Sequence, residues 1–119
     1  MFKTKNPNPM FDSVTDIVPQ ELHELLKSGS SLTLIDVRQP EEYTGELGHI
    51  AGAKLYVLDQ FHEQFNELKK SDDIVLICRS GGRSARATAF LIDQGYTKVY
   101  NMKGGMLAWN QLGFPIAKS

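Results

Sequence analysis

The sequence predicts an α/β domain in which a central parallel sheet of four to five strands carries helices on both faces. Two nearly continuous apolar runs, at 32–37 and 74–77, indicate the sheet, because such segments are typical of strands covered on both sides. Helix-forming segments alternate with these runs, which is the order of a three-layer architecture with parallel strands. The length of 119 residues fits one domain with one core.

Five segments have the apolar pattern of a short strand, at 14–18, 32–37, 53–57, 74–77 and 98–101. Helices are predicted between and after them, at 19–28, 41–43, 59–69, 85–92 and 106–112. Pro19 suits the first turn of a helix, where its missing N–H would have no partner, and Glu21 favours the positive end of the helix dipole. Gly29, Gly95 and Gly113 lie where a left-handed residue commonly ends a helix.

The first residues are polar and are interrupted by Pro7 and Pro9. We therefore expect a flexible N-terminal arm at 1–12, followed by the folded domain at 13–119. The lysines near the start precede no apolar segment, so the pattern of a secretory signal is missing, and no apolar run reaches membrane-spanning length. From this we expect a cytoplasmic protein.

Composition and charge exclude several classes of function. A formal net charge of −1 gives no overall attraction to nucleic acid or to an anionic membrane, so we expect neither as a partner. The one cysteine cannot form an internal disulfide framework or a cysteine-cluster metal site. We expect no metal and no organic cofactor.

That cysteine lies in a glycine-containing loop, Cys78-Arg79-Ser80-Gly81-Gly82-Arg83-Ser84, between a predicted strand and a predicted helix. Ligands of open α/β sheets bind at this end of the strands. Gly81 and Gly82 allow backbone N–H groups to turn toward one point, and the following helix presents its positive dipole end there. Arg79 and Arg83 add two full positive charges. Because all of these effects favour a thiolate, we expect Cys78 to have a lowered pKa and to act as a nucleophile.

Further motifs accompany the loop: Leu-Ile-Asp-Val-Arg at 34–38, Glu-Glu-Tyr at 41–43, Gly-His-Ile-Ala-Gly-Ala at 48–53 and Gly-Gly-Met-Leu-Ala-Trp at 104–109. In this order they resemble the rhodanese family of sulfurtransferases over roughly the last hundred residues, the length of one ordinary domain. The resemblance implies the three-layer rhodanese-like fold. It also implies that the loop cysteine, here Cys78, carries a sulfur atom as a persulfide.

The loop residues around Cys78 are candidates for holding the persulfide and the substrate. We expect Arg79 and Arg83 to bind the oxygen atoms of an anionic sulfur donor, and Arg83, on the far rim of the loop, is the stronger candidate. Ser80 and Ser84 could donate hydrogen bonds to the persulfide or the substrate. Ser84 is equally well explained as the N-cap of the following helix, and this is the interpretation that we favour.

Three candidates lie outside the loop. Asp36 and Arg38 end the second predicted strand, on the same sheet edge as Cys78. They either form a structural ion pair or, as the resemblance implies, support the active loop, with a possible substrate contact from Arg38. His49 could act as a general base, but persulfide transfer does not require one, so we expect its imidazole to bond to backbone beneath the site. The connection at 44–47 is longer than usual for the family, and its shape is not predicted.

Two other functions are compatible with this fold. Phosphatases and arsenate reductases of related architecture have an arginine six positions after the cysteine, whereas Arg83 follows Cys78 by five. The resulting six-residue loop is a tighter cradle, which favours a terminal sulfur atom over a phosphate. The second alternative is a sulfur-relay or binding module with little turnover of small molecules. Modules of that kind often lack the cysteine, and this chain has it.

The predicted reaction is a two-step sulfur transfer. The Cys78 thiolate takes the sulfane sulfur of thiosulfate or of a related persulfide donor and passes it to a thiophilic acceptor, which is cyanide, a thiol or a protein. The expected partners are therefore a small anionic sulfur donor and one of these acceptors. We expect a monomer or a weak homodimer.

Overall fold

The computed structural model describes residues 3–119 and contains a six-stranded sheet. Its strands are β1 Lys3–Lys5, β2 Thr15–Ile17, β3 Thr33–Asp36, β4 Lys54–Leu55, β5 Ile74–Ile77 and β6 Val99–Met102. They lie in the order β1-β2-β6-β5-β3-β4, and every neighbouring pair is parallel except β1 with β2. The predicted α/β fold is confirmed. The sheet has six strands where four to five were predicted, and β1, formed by the N-terminal residues, is the edge strand that was not predicted.

Within residues 3–119, five α-helices connect and cover the strands: α1 Pro19–Lys27, α2 Pro40–Tyr43, α3 Phe61–Gln64, α4 Gly82–Asp93 and α5 Gly105–Gln111. The continuous helix predicted at 59–69 is wrong. That segment consists of α3 between two 3-10 turns, Leu58–Gln60 and Phe65–Glu67. The hydroxyl of Tyr96 lies 3.1 Å from the carbonyl oxygen of Phe65 and 2.6 Å from that of Leu68, so tertiary hydrogen bonds take carbonyls that a longer helix would use.

The core has two halves, one on each face of the sheet. Along β5 the side chains alternate, so that Ile74 and Leu76 join one apolar cluster, while Val75 and Ile77 join the other. All four are fully buried, as expected for the central strand of a sheet covered on both sides. The first cluster includes residues of α3 and α4, and the second includes residues of α1 and α5. The sheet thus holds the carboxyl end of β5, where Cys78 lies, between two helical layers.

The N-terminal residues of the described chain are in contact with the rest of the fold. Lys3 to Lys5 pair with β2, and the amide of Asn6 donates to the carbonyl of Val14 at 2.8 Å. A 3-10 turn, Pro9–Phe11, follows, and Phe11 borders a cavity beside the start of α4. Residues 1–2 of the predicted arm lie outside the described residues. The division into an arm at 1–12 and a domain at 13–119 remains a prediction. Among residues 3–119, no helix is long and apolar enough to cross a membrane.

Candidate active site

The single cysteine follows β5 directly and is almost completely buried, at 1% exposed. Its Sγ atom accepts a hydrogen bond from the backbone N–H of Gly81, at 3.0 Å, and lies 3.2 Å from the hydroxyl oxygen of Ser84. Helix α4 begins at Gly82, so its positive end lies close to the loop. The sulfur atom of Cys78 thus lies against the apolar core on one side and meets polar hydrogen-bonding groups of the loop on the other.

The loop is held in this shape by two glycines. Gly81 is the N-cap of α4 and has a φ of +107°, in the left-handed region that favours glycine. Gly105, with a φ of +59°, packs so closely under the loop that a Cβ atom there would collide with the carbonyl groups of Cys78 and Arg79. Those two carbonyls accept hydrogen bonds from the N–H groups of Met106 and Leu107, at 2.8 and 3.0 Å. The start of α5 therefore fixes the peptide groups of the loop.

Ser84 does not cap α4, and the N-cap interpretation is wrong. The left-handed backbone of Gly81 starts the helix early, so Ser84 becomes its third residue and its side chain points inward. Ser84 is fully buried, and its hydroxyl lies between the Cys78 sulfur and the Asn101 side-chain oxygen, the latter at 2.5 Å. Its other predicted role, donation of a hydrogen bond to the persulfide or the substrate, stays a prediction. Ser80 and Gly82 are exposed on the outer side of the loop.

Arg83 forms a two-pronged ion pair with Glu42 of α2, with N–O distances of 2.7 and 2.9 Å. Hydrogen bonding to the Arg83 guanidinium lowers the pKa of Glu42 from its ordinary 4.5 to about 2, and the same bond raises the pKa of Arg83. In this structure Arg83 is thus bound to a carboxylate and not free for a donor. Arg79 is exposed, and no side-chain ion pair or hydrogen bond of Arg79 occurs within residues 3–119.

Asp36 and Arg38 form a second two-pronged ion pair, which lies entirely inside the protein. The guanidinium Nε and Nη2 atoms of Arg38 donate to the Asp36 carboxylate at 2.9 and 2.8 Å, and Nη2 also donates to the carbonyl of Gly48 at 2.7 Å. The side chains are 1% and 0% exposed. This burial favours the structural ion pair of the two interpretations and leaves little surface on Arg38 for a substrate.

His49 bonds to backbone, in the way expected for a supporting residue. Its Nδ1 atom lies 2.7 Å from the carbonyl oxygen of Tyr43, and its ring stacks on the Tyr43 ring at 3.6 Å. Since a carbonyl only accepts, Nδ1 carries the proton. The Tyr43 hydroxyl in turn donates to the carbonyl of Ala53, and burial raises the pKa of Tyr43. The connection at 44–47 forms a tight turn, closed by a hydrogen bond from Gly48 to the carbonyl of Gly45.

Two cavities border the loop. One, of about 210 Å³, lies between Arg79 and the segment after α2, and its wall includes Glu41 and Glu46. The other, of about 350 Å³, lies between the outer loop residues and the N-terminal segment that contains Asn6 and Phe11. No cluster of three or more His, Cys, Asp or Glu side chains suited to a metal occurs in the described part of the chain.

Four residues that shape the site were not predicted as site residues from the sequence. Glu42 lay in a recognised motif, but its pairing with Arg83 joins residues 41 positions apart. Gly105 also lay in a motif, and two adjacent glycines before a helix were the available signal. Asn101 and Asp16, both 2% exposed, form a buried polar group behind Ser84. A polar residue within each of two short strands, β6 and β2, was the signal for these two.

The chain is similar to known proteins over most of its length. The model of the rhodanese-like domain matches residues 18–112. A sulfurtransferase of Allochromatium vinosum is 36% identical over 87% of this chain and 94% of its own length. Thiosulfate sulfurtransferase 18 of Arabidopsis thaliana is 36% identical over 88% of this chain and 85% of its own.

Among solved structures, a rhodanese-related protein of Thermoplasma volcanium has 29% identity and a TM-score of 0.78, covering 87% of this chain and 98% of its own. The family match spans β5, the cysteine loop and α4, and the fold agrees with that of the solved relative. The chain therefore belongs to the rhodanese-like domain family.

Proposed function

We propose that this protein transfers a sulfane sulfur from thiosulfate, or from a related persulfide donor, to a thiophilic acceptor through a persulfide on Cys78. The observation that carries the proposal is the loop itself. The sulfur atom of Cys78, the residue after the central strand, accepts a hydrogen bond from the backbone N–H of Gly81 and lies beside the start of a twelve-residue helix. Such a setting stabilises negative charge on sulfur, as a nucleophile and as a persulfide.

In the first step, the Cys78 thiolate attacks the outer sulfur atom of thiosulfate. A new S–S bond forms to Cys78, the S–S bond of the donor breaks, and sulfite leaves with the electron pair. Arg79, which is exposed at the loop, is placed to attract the donor anion and the departing sulfite. Arg83 can contribute in the same way only when its ion pair with Glu42 opens.

In the second step, an acceptor attacks the outer sulfur atom of the persulfide. Cyanide gives thiocyanate, whereas a thiol or a cysteine of a partner protein gives a new persulfide. The S–S bond to Cys78 breaks, and the electron pair returns the Cys78 thiolate. This cycle uses neither a metal nor an organic cofactor.

The test is sulfur transfer by the wild-type protein and by Cys78→Ser. Incubation of the wild-type protein with thiosulfate should add one sulfur atom to its intact mass, and a reductant should remove it. Cys78→Ser should gain no sulfur and form no thiocyanate. Thr88→Val is the matched control, since Thr88 is fully buried one helical turn beyond Ser84 and has no hydrogen bond to the sulfur. A Cys78→Ser protein that formed thiocyanate at the wild-type rate would end the proposal.

A sulfur-relay module is the second candidate, and the ion pair of Arg83 favours it. With Arg83 held by Glu42, the loop offers one free guanidinium to a small oxyanion donor. A relay would accept sulfur from a protein persulfide and show little turnover with thiosulfate and cyanide. The mass experiment and the cyanide assay together distinguish the two: a relay gains sulfur but forms thiocyanate slowly. A phosphatase, the least favoured alternative, would hydrolyse an aryl phosphate through Cys78.

A further inference from the structure

A chain of buried hydrogen bonds runs from the reactive sulfur to the N-terminal segment. The Ser84 hydroxyl lies 3.2 Å from the Cys78 sulfur and 2.5 Å from Oδ1 of Asn101. The Nδ2 group of Asn101 donates to Oδ1 of Asp16 at 2.9 Å, and the same oxygen accepts from Nδ2 of Asn6 at 3.0 Å. Ser84, Asn101 and Asp16 are 0–2% exposed, so these groups depend on one another for partners.

The direction of these bonds follows from the chemistry of the groups. A carboxylate oxygen of Asp16 only accepts, so the Asn101 side chain turns its NH₂ group toward Asp16. The Asn101 oxygen must then face Ser84, and it also only accepts. Ser84 has one hydroxyl proton, and both the Cys78 sulfur at 3.2 Å and the Asn101 oxygen at 2.5 Å lie within reach to accept it. The two acceptors therefore compete for one proton, and the shorter distance favours Asn101 as long as Cys78 is a protonated thiol.

We propose that Asn101, oriented by Asp16, is a positioning residue that competes with the Cys78 sulfur for the hydroxyl proton of Ser84. The inference rests on the proposed function, in which Cys78 is the nucleophile, and adds what controls its protonation. When the thiol gives its proton to solvent, Ser84 turns its own proton from Asn101 to the sulfur. Only the S–H bond breaks, and the Asn101 oxygen loses its hydrogen bond. The hydrogen bond from Ser84 thus stabilises the thiolate, and the competing hydrogen bond from Ser84 to Asn101 favours the protonated thiol.

Charged groups lie near this series of hydrogen bonds, on the elements that pack around the loop. They are Arg79 and Arg83 in the loop and α4, Asp36 and Arg38 at the end of β3, Glu42 in α2, Asp16 on β2 and Lys103 after β6. Of these, Arg83 interacts electrostatically with Cys78 directly. The variants used to test the proposal leave all of these side chains in place. Asn101→Leu removes one hydrogen-bond donor from Asp16, and comparison with the double variant separates that effect from the one that acts through Ser84.

The test is a titration of the Cys78 thiol by the ultraviolet absorbance of the thiolate. The chain has one cysteine, so Cys78→Ser is a complete blank for the tyrosines. Asn101→Leu frees the Ser84 proton for the thiolate and should lower the titration midpoint by about one pH unit. Ser84→Ala removes the donor and should raise it by a similar amount. In the double variant the effect of Asn101→Leu should vanish, because its whole action runs through Ser84.

Thr88→Val is the matched control and should leave the midpoint where it is in the wild-type protein, since Thr88 bonds to the Ser84 carbonyl and not to its hydroxyl. The proposal is overturned if Asn101→Leu leaves the midpoint unchanged or raises it. It is also overturned if Asn101→Leu shifts the midpoint equally with and without Ser84. None of these readouts requires sulfur transfer, so an inactive protein with the expected shifts would reject the proposed function and retain this inference.

A measurement on the unmutated protein covers the case in which Asn101→Leu does not fold. The NMR signals of the Asn101 side-chain amide should move with the same midpoint as the thiolate absorbance, because the Asn101 oxygen loses its partner as the thiolate forms. The side-chain amide of Asn110, which donates to the carbonyls of Leu47 and Met106 away from the sulfur, is the internal control. An Asn101 signal that does not follow the thiol would reject the competition.

Discussion

Two arginine–carboxylate pairs lie near the cysteine loop, and they are alike in chemistry but opposite in setting. Arg38 and Asp36 are two positions apart, and their side chains are 1% and 0% exposed. Arg83 and Glu42 are 41 positions apart, and their side chains are 36% and 26% exposed. Both pairs make two parallel N–H···O bonds, the geometry in which a guanidinium holds a carboxylate best.

The difference in burial separates a scaffold from a contact that can open. A buried charge that loses its partner remains in a medium of low polarity, so the inner pair, Asp36 with Arg38, must stay intact for the fold to survive. In the outer pair, Glu42 with Arg83, the arginine can exchange its carboxylate partner for water or for a donor anion at a much smaller cost. We infer that Asp36 and Arg38 hold the sheet edge in place, and that Glu42 and Arg83 adjust the charge available at the mouth of the site.

The largest effect should come from breaking the inner pair. Arg38→Met leaves the Asp36 carboxylate buried without its partner, and we expect the free energy of unfolding to fall by about 3–5 kcal/mol. Urea unfolding monitored by circular dichroism measures this change. Lys27→Met is the matched control, because Lys27 and its partner Glu24 are 59% and 71% exposed, and its effect should stay below about 1 kcal/mol. A loss for Arg38→Met as small as that of the control would show that the burial argument is wrong.

The inner pair also shows what a sequence can predict. Asp36 and Arg38 adjoin a continuous apolar strand, so their position at the sheet edge followed from local pattern alone. The same holds for the five parallel strands and for the loop at Cys78, whose spacing and composition are local. Strand β1 was missed because Lys3–Lys5 is exposed throughout and has no apolar periodicity; only backbone bonds to β2 define it.

The outer pair is an example of a contact that could not be predicted from the sequence. Arg83 was expected to bind a donor anion, and its pairing with Glu42 depends on how α2 packs beside α4. Ser84 was misassigned for a related reason: its position two residues after Gly82 is compatible with a cap, but Asn101 on β6 and the early start of α4 direct it inward. Such contacts between distant segments are fixed by packing, which spacing along the chain does not reveal.

The second prediction breaks the outer pair from the arginine side. If Arg83 binds the donor after leaving Glu42, Arg83→Met should lower kcat/KM for thiosulfate by about 10- to 100-fold, the range for losing a hydrogen bond to a charged group. The unfolding free energy should change by about 1 kcal/mol or less, in contrast to Arg38→Met. Steady-state formation of thiocyanate measures the first quantity, and urea unfolding measures the second. Unchanged kinetics would leave Arg79 as the sole arginine for the donor.

The third prediction opens the outer pair from the carboxylate side and should act in the opposite direction. Glu42→Gln removes the competing charge and leaves Arg83 free for the donor anion, so KM for thiosulfate should fall by about fivefold, equivalent to about 1 kcal/mol. Glu41→Gln is the matched control, since the neighbouring Glu41 makes no hydrogen bond to Arg83 among the described residues. If both variants change KM equally, the effect is one of overall charge at the mouth and not of the pair.

The smallest expected effect is the pH dependence of the stability that the Glu42–Arg83 pair contributes. The pKa of Glu42 is lowered from 4.5 to about 2, so the pair stabilises the folded state fully above about pH 5. As the pH falls from 4.5 toward 2, the carboxylate is protonated and that contribution is lost. Because both side chains are partly exposed, solvent screening limits it to less than about 1 kcal/mol.

Other carboxylates titrate in the same range, so the measured quantity is a difference between two proteins. The free energy of unfolding of the wild-type protein minus that of Glu42→Gln should be constant above pH 5 and should shrink toward pH 2. A glutamine cannot be protonated in this range, so the difference isolates Glu42. If the difference stayed constant down to pH 2, the bond to Arg83 would contribute no more to Glu42 in the folded protein than water does in the unfolded chain. The outer pair would then be a contact without an energetic role, and the contrast with Asp36 and Arg38 would be complete.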